Sequence, residues 1–356
     1  MLLAPYQSTL EKLSTSVTAF APGRVNLIGE HTDYNQGLAL PFAISAGVTV
    51  TAVATGGHRI TTRALDLRAE DSFDARRPGR VGGWRAFVRG AVAELSLVGV
   101  EVPGARLEIV GTVPRGSGLS SSAALEVALT LCLTALSGAP PLEPIEQAKL
   151  CGRIENEWVG AHTGLLDQLA SRCGEAGKAL RIDFRSLELR LVELELAGHR
   201  LVTLDSGQQR GNAASGYNQR RAECTRACEL LGVASLRDAT RAMAETLPEP
   251  LNRRVRHLIR ANAGVDEAVD ALRGRNLAQL GCLLDEAHAS LRDDYEVSTP
   301  AVEAAVARLK RAGALGARIL GGGFGGHVLA LLPPDARPPD GAFEVRPGAG
   351  ARLLHA

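Results

Sequence analysis

Lysine is nearly missing from this chain of 356 residues: only Lys12, Lys149, Lys178 and Lys310 occur, and the rest of its 40 basic residues are arginines. That skew reads as genomic base composition rather than as arginine chemistry. An excess of either charge is missing too, because 39 acidic residues leave a formal net charge of +1. Non-specific nucleic-acid binders normally carry a basic surplus that displaces phosphate counterions, so no nucleic-acid partner is expected. The longest apolar region, Ala123 to Leu136, is broken by Glu126, Thr130 and Thr134. It falls short of the roughly 20 residues that cross a bilayer, so no membrane partner is expected. Met1 to Lys12 lacks a basic segment followed by an apolar one, which argues against a secretory leader. The six cysteines, at 132, 151, 173, 224, 228 and 282, form no CxxC pair and have no nearby histidines. Cys224 and Cys228 share a helix face, but two thiols rarely hold a metal alone. Free thiols in a cytoplasmic protein are the expectation.

What is present is ordinary globular material, 45% hydrophobic and 22% charged, long enough for two domains. Residues 48–54 and 59–64 alternate with strand period around Gly56-Gly57, which predicts a hairpin. Helical spacing marks 83–98, 121–137, 144–158, 164–173, 215–231, 249–273, 276–291 and 299–312. Strands are predicted at 106–110, 178–184, 187–196, 200–205, 317–320 and 327–332, with one more after the proline-rich loop 333–341. Mixed elements in both halves point to α+β domains, divided near 195–210 into 1–200 and 201–356.

Three segments could do chemistry. The loop Pro114-Arg115-Gly116-Ser117-Gly118-Leu119-Ser120-Ser121-Ser122 runs into a helix. Its glycines allow close backbone approach, its hydroxyls can meet phosphate or Mg²⁺, and a helix N-terminus favours anions. It lacks the Gly-Lys-Ser/Thr of a Walker loop, and a merely serine-capped helix is the plain alternative. The stretch Gly23 to Asn35 packs Glu30, His31 and Asp33 into four residues, a dense donor and acceptor set suited to polyol hydroxyls or simply a solvated loop. Gly321 to Gly326, with Phe324 inside, lies between two strands and reads as a tight hairpin or as backbone brought close to a second loop. Asp167, alone among apolar neighbours, is either a helix-start cap or a base. Spacing alone selects neither it nor Glu155.

Together these segments resemble the galactokinase family of the GHMP small-molecule kinases, supported by Trp84 with Phe87 and Gly90, Glu155-Asn156, Gly164 to Gln168 and Tyr217 to Cys224. The resemblance spans about residues 18–332. It implies the two-domain GHMP kinase fold: an N-terminal mixed-sheet α/β domain and a C-terminal ferredoxin-like α+β domain, with the active site in the cleft between. The activity it implies is transfer of the ATP γ-phosphate to the C1 hydroxyl of galactose. Asp167 would be the catalytic carboxylate and Arg24 its partner. Glu30, His31, Thr32, Asp33, Tyr217 and Asp167 would contact sugar. Gly116, Ser117, Gly118, Leu119, Ser120, Ser121 and Ser122 would hold ATP, and Ser122 and Glu155 would hold Mg²⁺. A monomer acting on small molecules is expected. Rival readings are a related sugar-1-kinase, acting on N-acetylgalactosamine, arabinose or a heptose, and a non-catalytic galactose sensor. The chain departs from the family pattern at Leu166, at Ile319-Leu320, at His327 and over Ser206 to Arg210.

Overall fold

The computed structural model describes residues 16–114, 118–161, 163–208 and 213–355. In chain order it comprises β1 (Ser16–Asn26), β2 (Leu38–Ala39), β3 (Pro41–Ala54), β4 (Arg59–Ala64), β5 (Ala69–Asp74), α1 (Trp84–Leu97), β6 (Ala105–Gly111) and α2 (Ser121–Leu136). α3 (Pro144–Arg153), α4 (Leu166–Cys173), β7 (Lys178–Asp183), β8 (Glu188–Glu193) and β9 (Arg200–Asp205) follow. The rest is α5 (Ala213–Leu231), α6 (Arg241–Glu245), α7 (Leu251–Arg273), α8 (Leu277–Asp293), α9 (Pro300–Arg311), β10 (Gly316–Ile319), β11 (His327–Leu332), β12 (Ala342–Val345) and β13 (Arg352–His355).

A six-stranded mixed sheet runs β13-β1-β3-β6-β4-β5. Its inward residues, among them Val17, Val50, Ile60 and Leu107, pack against Val88 and Leu95 of α1 and Val127 and Leu133 of α2. Helix α2 is apolar almost all round and is accordingly buried almost all round. A second, four-stranded sheet runs β10-β11-β9-β12, with α8 and α9 against it and a core that includes Val202, Leu258, Val302 and Val328. A third cluster joins the halves, because Val25, Leu27, Phe42 and Leu119 pack with Val265, Leu280 and Leu329. Burying apolar side chains from both halves in one cluster couples their positions.

Two expectations fail. The strands around Gly56-Gly57 do not pair with each other. β6 enters between them, antiparallel to β3 and parallel to β4. The turn does reverse the chain, but Gly57 and Thr55 bond instead to Gly104, the residue just before β6. Local turn chemistry says that the chain folds back, and the inward Ala105, Leu107 and Ile109 decide what fills the slot. The division at 200/201 also breaks down at the end of the chain. Pro347 bridges to Ile44 and β13 pairs with β1, so the last strand returns to the first sheet. The helix expected over 144–158 is α-helical only to Arg153 and continues as a π-helical turn over Ile154–Val159, closed by Gly160 at φ 82°. Such turns widen a helix and recur at functional sites.

Candidate active site

A cavity of about 560 Å³ opens between the two halves, lined from β1, the start of α2, the loop before α4, α5 and the glycine loop after β10. Its floor is an ion pair. Arg24, near the end of β1, donates Nε to Asp167 Oδ1 at 2.7 Å, sets Nη2 2.7 Å from the same oxygen and sends Nη1 to the Gly118 carbonyl at 2.5 Å. The strand reaches this loop because residue 23 is glycine: a Cβ there would lie 2.4 Å from the Leu119 carbonyl oxygen, which accepts from Arg24 N at 3.0 Å. Ser120 donates its hydroxyl to Asp167 Oδ2. It does so from a left-handed backbone, φ 60°, a conformation that costs a non-glycine residue about 1–3 kcal/mol. Asp167 sits in the first turn of α4, whose start carries no side-chain cap. A carboxylate offers about four acceptor sites, so with Arg24 and Ser120 bound Asp167 keeps capacity on Oδ2 for a further donor.

Helix α2 aims its N-terminus into the cavity, with Ser120, Ser121 and Ser122 in the lining. The serine at its N-cap makes no capping bond, which overturns the reading of the loop as a serine cap. Free N–H groups and the helix dipole there suit an anion. Leu119 lines the cavity, but its side chain is buried in the shared core, so it offers backbone only. Gly116 and Ser117 lie outside the described residues.

Glu155, in the π-helical turn, accepts from Thr163 Oγ1 at 2.9 Å and from Gln168 Nε2 at 2.7 Å. The Ser122 hydroxyl bonds it as well, and burial and then the Asp167 charge push its carboxyl above the usual range. Behind it lies Glu126, fully buried, bridged through the same Gln168 amide at 3.1 Å and raised further still by burial and by Glu155. Among the described residues no three His, Cys, Asp or Glu side chains gather as a metal cage. One carboxylate beside a hydroxyl at an anion-binding helix end instead fits Mg²⁺, which takes one or two protein oxygens and otherwise water and phosphate.

The loop after β1 supplies the other wall. Glu30 is buried, its Oε1 held by Arg318 Nη2 at 2.9 Å and by Gly321 N at 2.8 Å, and its Oε2 by Asn26 Nδ2 at 2.9 Å. Burial alone would raise this carboxyl, but Arg318, Arg24 and these donors hold it at about 2. His31 adopts a left-handed backbone, φ 61°, and lines the cavity. Burial, with His257 adding to it, lowers His31 to about 3, so its ring is neutral at physiological pH. Asp33 is raised to about 6 by burial and by the Asp167 charge. Gly164 makes room for it, since a Cβ there would lie 2.1 Å from Asp33 Oδ2. Tyr217 on α5 stands 5.3 Å from the His31 ring, centroid to centroid. Thr32 departs from expectation. Its hydroxyl donates to the Gly29 and Leu38 carbonyls at 3.0 and 2.7 Å, and it is fully buried and outside the cavity lining. A tight turn needed that hydroxyl to satisfy its own backbone.

Three family signatures match in order along the chain. They are the galactokinase galactose-binding signature over residues 6–54, the GHMP kinase N-terminal domain over 86–175 and the GHMP kinase C-terminal domain over 268–346. Galactokinase of Streptomyces coelicolor is 40% identical, the match covering 94% of this chain and 93% of that protein. Galactokinase of Mycobacterium tuberculosis strain H37Rv is 42% identical with the same coverage. The protein belongs to the galactokinase family. In structure it is similar to Lactococcus lactis galactokinase complexed with galactose, with a TM-score of 0.89, 31% identity and coverage of 98% of this chain and 97% of that one. Methanococcus jannaschii mevalonate kinase shares the two-domain GHMP fold at a TM-score of 0.68 and 19% identity, covering 94% of this chain and 99% of that one. The protein is thus an ATP-dependent sugar kinase of the GHMP fold, and among the described residues no helix is long and apolar enough to cross a membrane.

Several residues of this site escaped the reading of the sequence. Arg318 left a signal, a lone charge between Ala317 and Ile319 in an apolar strand; it is fully buried and also donates to the Asn26 and Leu27 carbonyls. Gln168 and Tyr34 lay inside recognised stretches without a role. Tyr295 had no local signal at all. The family departures are quiet: Leu320 is buried in the shared core and His327 packs edge-on to Phe343. Of the divergent 206–210 segment, Ser206 and Gln208 bond to the backbone of Gly326, and residues 209 and 210 lie outside the described set.

Proposed function

We propose that this chain transfers the γ-phosphate of ATP to the C1 hydroxyl of α-D-galactose, with Asp167 as the carboxylate that receives the hydroxyl proton. The single observation that carries this reading is the Arg24–Asp167–Ser120 cluster set beside the N-terminus of α2 in one cavity. Phosphoryl transfer has a loose transition state that asks little of the nucleophile, so a weak base suffices where positioning and charge stabilisation are good. Arg24 and Ser120 fix the Asp167 carboxylate and leave Oδ2 open to the acceptor hydroxyl. Gly118, Ser120, Ser121 and Ser122 would cradle the phosphates, Ser120 by its backbone alone because its hydroxyl is given to Asp167, and the resemblance assigns Gly116 and Ser117 the same role. Ser122 and Glu155 would hold Mg²⁺, which when bound neutralises developing phosphate charge. Glu30, His31, Asp33 and Tyr217 form the sugar wall, a mixed donor and acceptor surface that matches a polyol. Thr32 serves that wall indirectly, by holding the turn.

On this reading the protein is a cytoplasmic monomer, and its six free cysteines agree with that compartment. A D-glycero-D-manno-heptose 1-phosphate kinase on the same scaffold is only 15% identical, at a TM-score of 0.63, and the galactose-binding signature favours galactose over a heptose. A sensor is disfavoured by Arg24, Asp167, Ser122 and Glu155 all standing in the cavity wall or directly against it. The test is a coupled ADP assay across galactose, N-acetylgalactosamine, arabinose and a heptose. Galactose should give the highest kcat/KM. Asp167→Asn should abolish sugar-dependent ADP release while ATP affinity stays within about threefold. Near-parental turnover by that variant would overturn the assignment.

A further inference from the structure

We propose that Tyr295, acting through Tyr34, holds His31 in the tautomer that carries its proton on Nε2, so that the imidazole meets the sugar as a hydrogen-bond donor. The sugar contact rests on the functional reading above; the tautomer stands on geometry alone.

His31 Nδ1 lies 2.9 Å from the Tyr34 hydroxyl. The Tyr34 hydroxyl lies 2.9 Å from that of Tyr295, and Cys224 Sγ lies 3.1 Å from the Tyr295 hydroxyl. Nε2 is buried with no hydrogen-bond partner in the protein, on a ring that lines the cavity. Each hydroxyl has one proton, and leaving a buried one unpaired is costly, so the chain with every hydroxyl proton used can run only two ways. In one, the thiol donates to Tyr295, Tyr295 to Tyr34 and Tyr34 to Nδ1, which puts the ring proton on Nε2. In the other, Nδ1–H donates to Tyr34, Tyr34 to Tyr295 and Tyr295 to sulfur.

The first direction is the stronger. It pairs a phenol donor with the imidazole lone pair, the best acceptor of the set, and leaves the weak S–H donor for the last link. The second spends a phenol proton on sulfur, a weak acceptor. That sulfur already faces a donor, Asn35 Nδ2 at 3.6 Å. The orientation of the Asn35 amide is not free, because Nδ2 also donates at 3.0 Å to the His31 carbonyl, which can only accept.

Tyr295 can impose this because it is immobile. It lies between α8 and α9, is buried, and stacks at 4.2 Å centroid to centroid on His257. His257 is in turn fixed, since Nε2 meets the Glu30 carbonyl at 3.1 Å and Nδ1 the Ser290 hydroxyl at 2.8 Å. A group from the C-terminal half thereby sets the donor character of a histidine from the N-terminal half. Tyr295 and Tyr34 are positioning residues for specificity, reading whether the sugar offers an acceptor oxygen at Nε2.

The experiment has two arms. Long-range proton–nitrogen NMR on histidine-labelled full-length protein without sugar should find His31 protonated at Nε2. In Tyr34→Phe and Tyr295→Phe that signal should shift towards a mixture of tautomers. A proton on Nδ1 in the parent, or an unchanged His31 signal in both variants, would overturn the proposal. In the second arm, deoxy and deoxyfluoro galactoses are compared, fluorine keeping acceptor character that hydrogen lacks. At one ring position the fluoro sugar should outperform the deoxy sugar in kcat/KM. That advantage should vanish in Tyr295→Phe, which should raise galactose KM about three- to tenfold with ATP KM unchanged. A merely structural role for the Tyr295 ring would leave both quantities alone and sink the donor assignment. His31→Gln with an unaltered galactose KM would instead overturn the underlying sugar-site reading, and the NMR arm would still decide the tautomer.

Discussion

Ser120 gives its hydroxyl to Asp167 and not to the helix it precedes. The residue forgoes a cap, accepts a left-handed backbone, and in return completes the setting of the carboxylate proposed to receive the acceptor proton. Local stability and catalysis are opposed at one residue, which makes their separation measurable.

Ser120→Gly should stabilise the fold by about 0.5–1 kcal/mol by relieving the positive φ. It should also lower kcat by roughly ten- to a hundredfold through loss of the Asp167 bond. Ser120→Ala should show the same kinetic loss without the gain in stability. Melting curves beside steady-state kinetics check both, and a Ser120→Gly enzyme with parental kcat would remove Ser120 from the catalytic setting.

Asp33 predicts a pH dependence. Its carboxyl is raised in the folded protein to about 6 from 3.8, so between those values the folded state binds the extra proton. The sign follows: this group supports stability below about pH 4 and works against it once pH has risen through 6. Asp33→Asn should therefore raise Tm at about pH 8 and not at about pH 4, while raising galactose KM. Equal Tm shifts at both values would mean that Asp33 is not the titrating group.

Glu155 is held by Ser122, Thr163 and Gln168. Glu155→Gln should increase the Mg²⁺ concentration for half-maximal rate on the order of 10–100-fold, with galactose KM little affected. Gln168→Leu should do the same more weakly by freeing the carboxylate. An unchanged Mg²⁺ titration in Glu155→Gln removes this residue from the metal.

Arg318→Met would leave the Glu30 carboxylate buried without its cation. Breaking one partner of such a pair typically costs about 3–5 kcal/mol. The double variant Arg318→Met, Glu30→Gln should recover much of that stability in urea denaturation, though not galactose affinity. Full additivity of the two single changes would show that the pair is not coupled.

Much of this protein was open to reading before any fold was known. The glycine- and serine-rich run before α2, the density of polar groups between Gly23 and Asn35, and the periodicities of α1, α2, α7, α8 and α9 are all local. Local chemistry is what a linear pattern encodes: caps, turns, apolar faces and the residue types a phosphate or a polyol needs. The wrong pairing around Gly56-Gly57 marks the limit, because a turn signal cannot name the strand that enters from residues 105–111. Return of β13 to β1 has the same cause.

The sequence by itself determined the scaffold class, through three motifs in order, and marked the candidate phosphate loop by its local composition; Arg24, Asp167 and Glu155 became the groups to watch only through the family resemblance, since local spacing selected neither carboxylate. Only the tertiary structure decided that Ser120 serves Asp167, that Thr32 serves its own turn, and that Arg318 and Tyr295 set the states of Glu30 and His31. Those roles depend on distances between residues far apart in the chain and on burial that shifts protonation, and neither quantity exists until the two halves pack on their shared core.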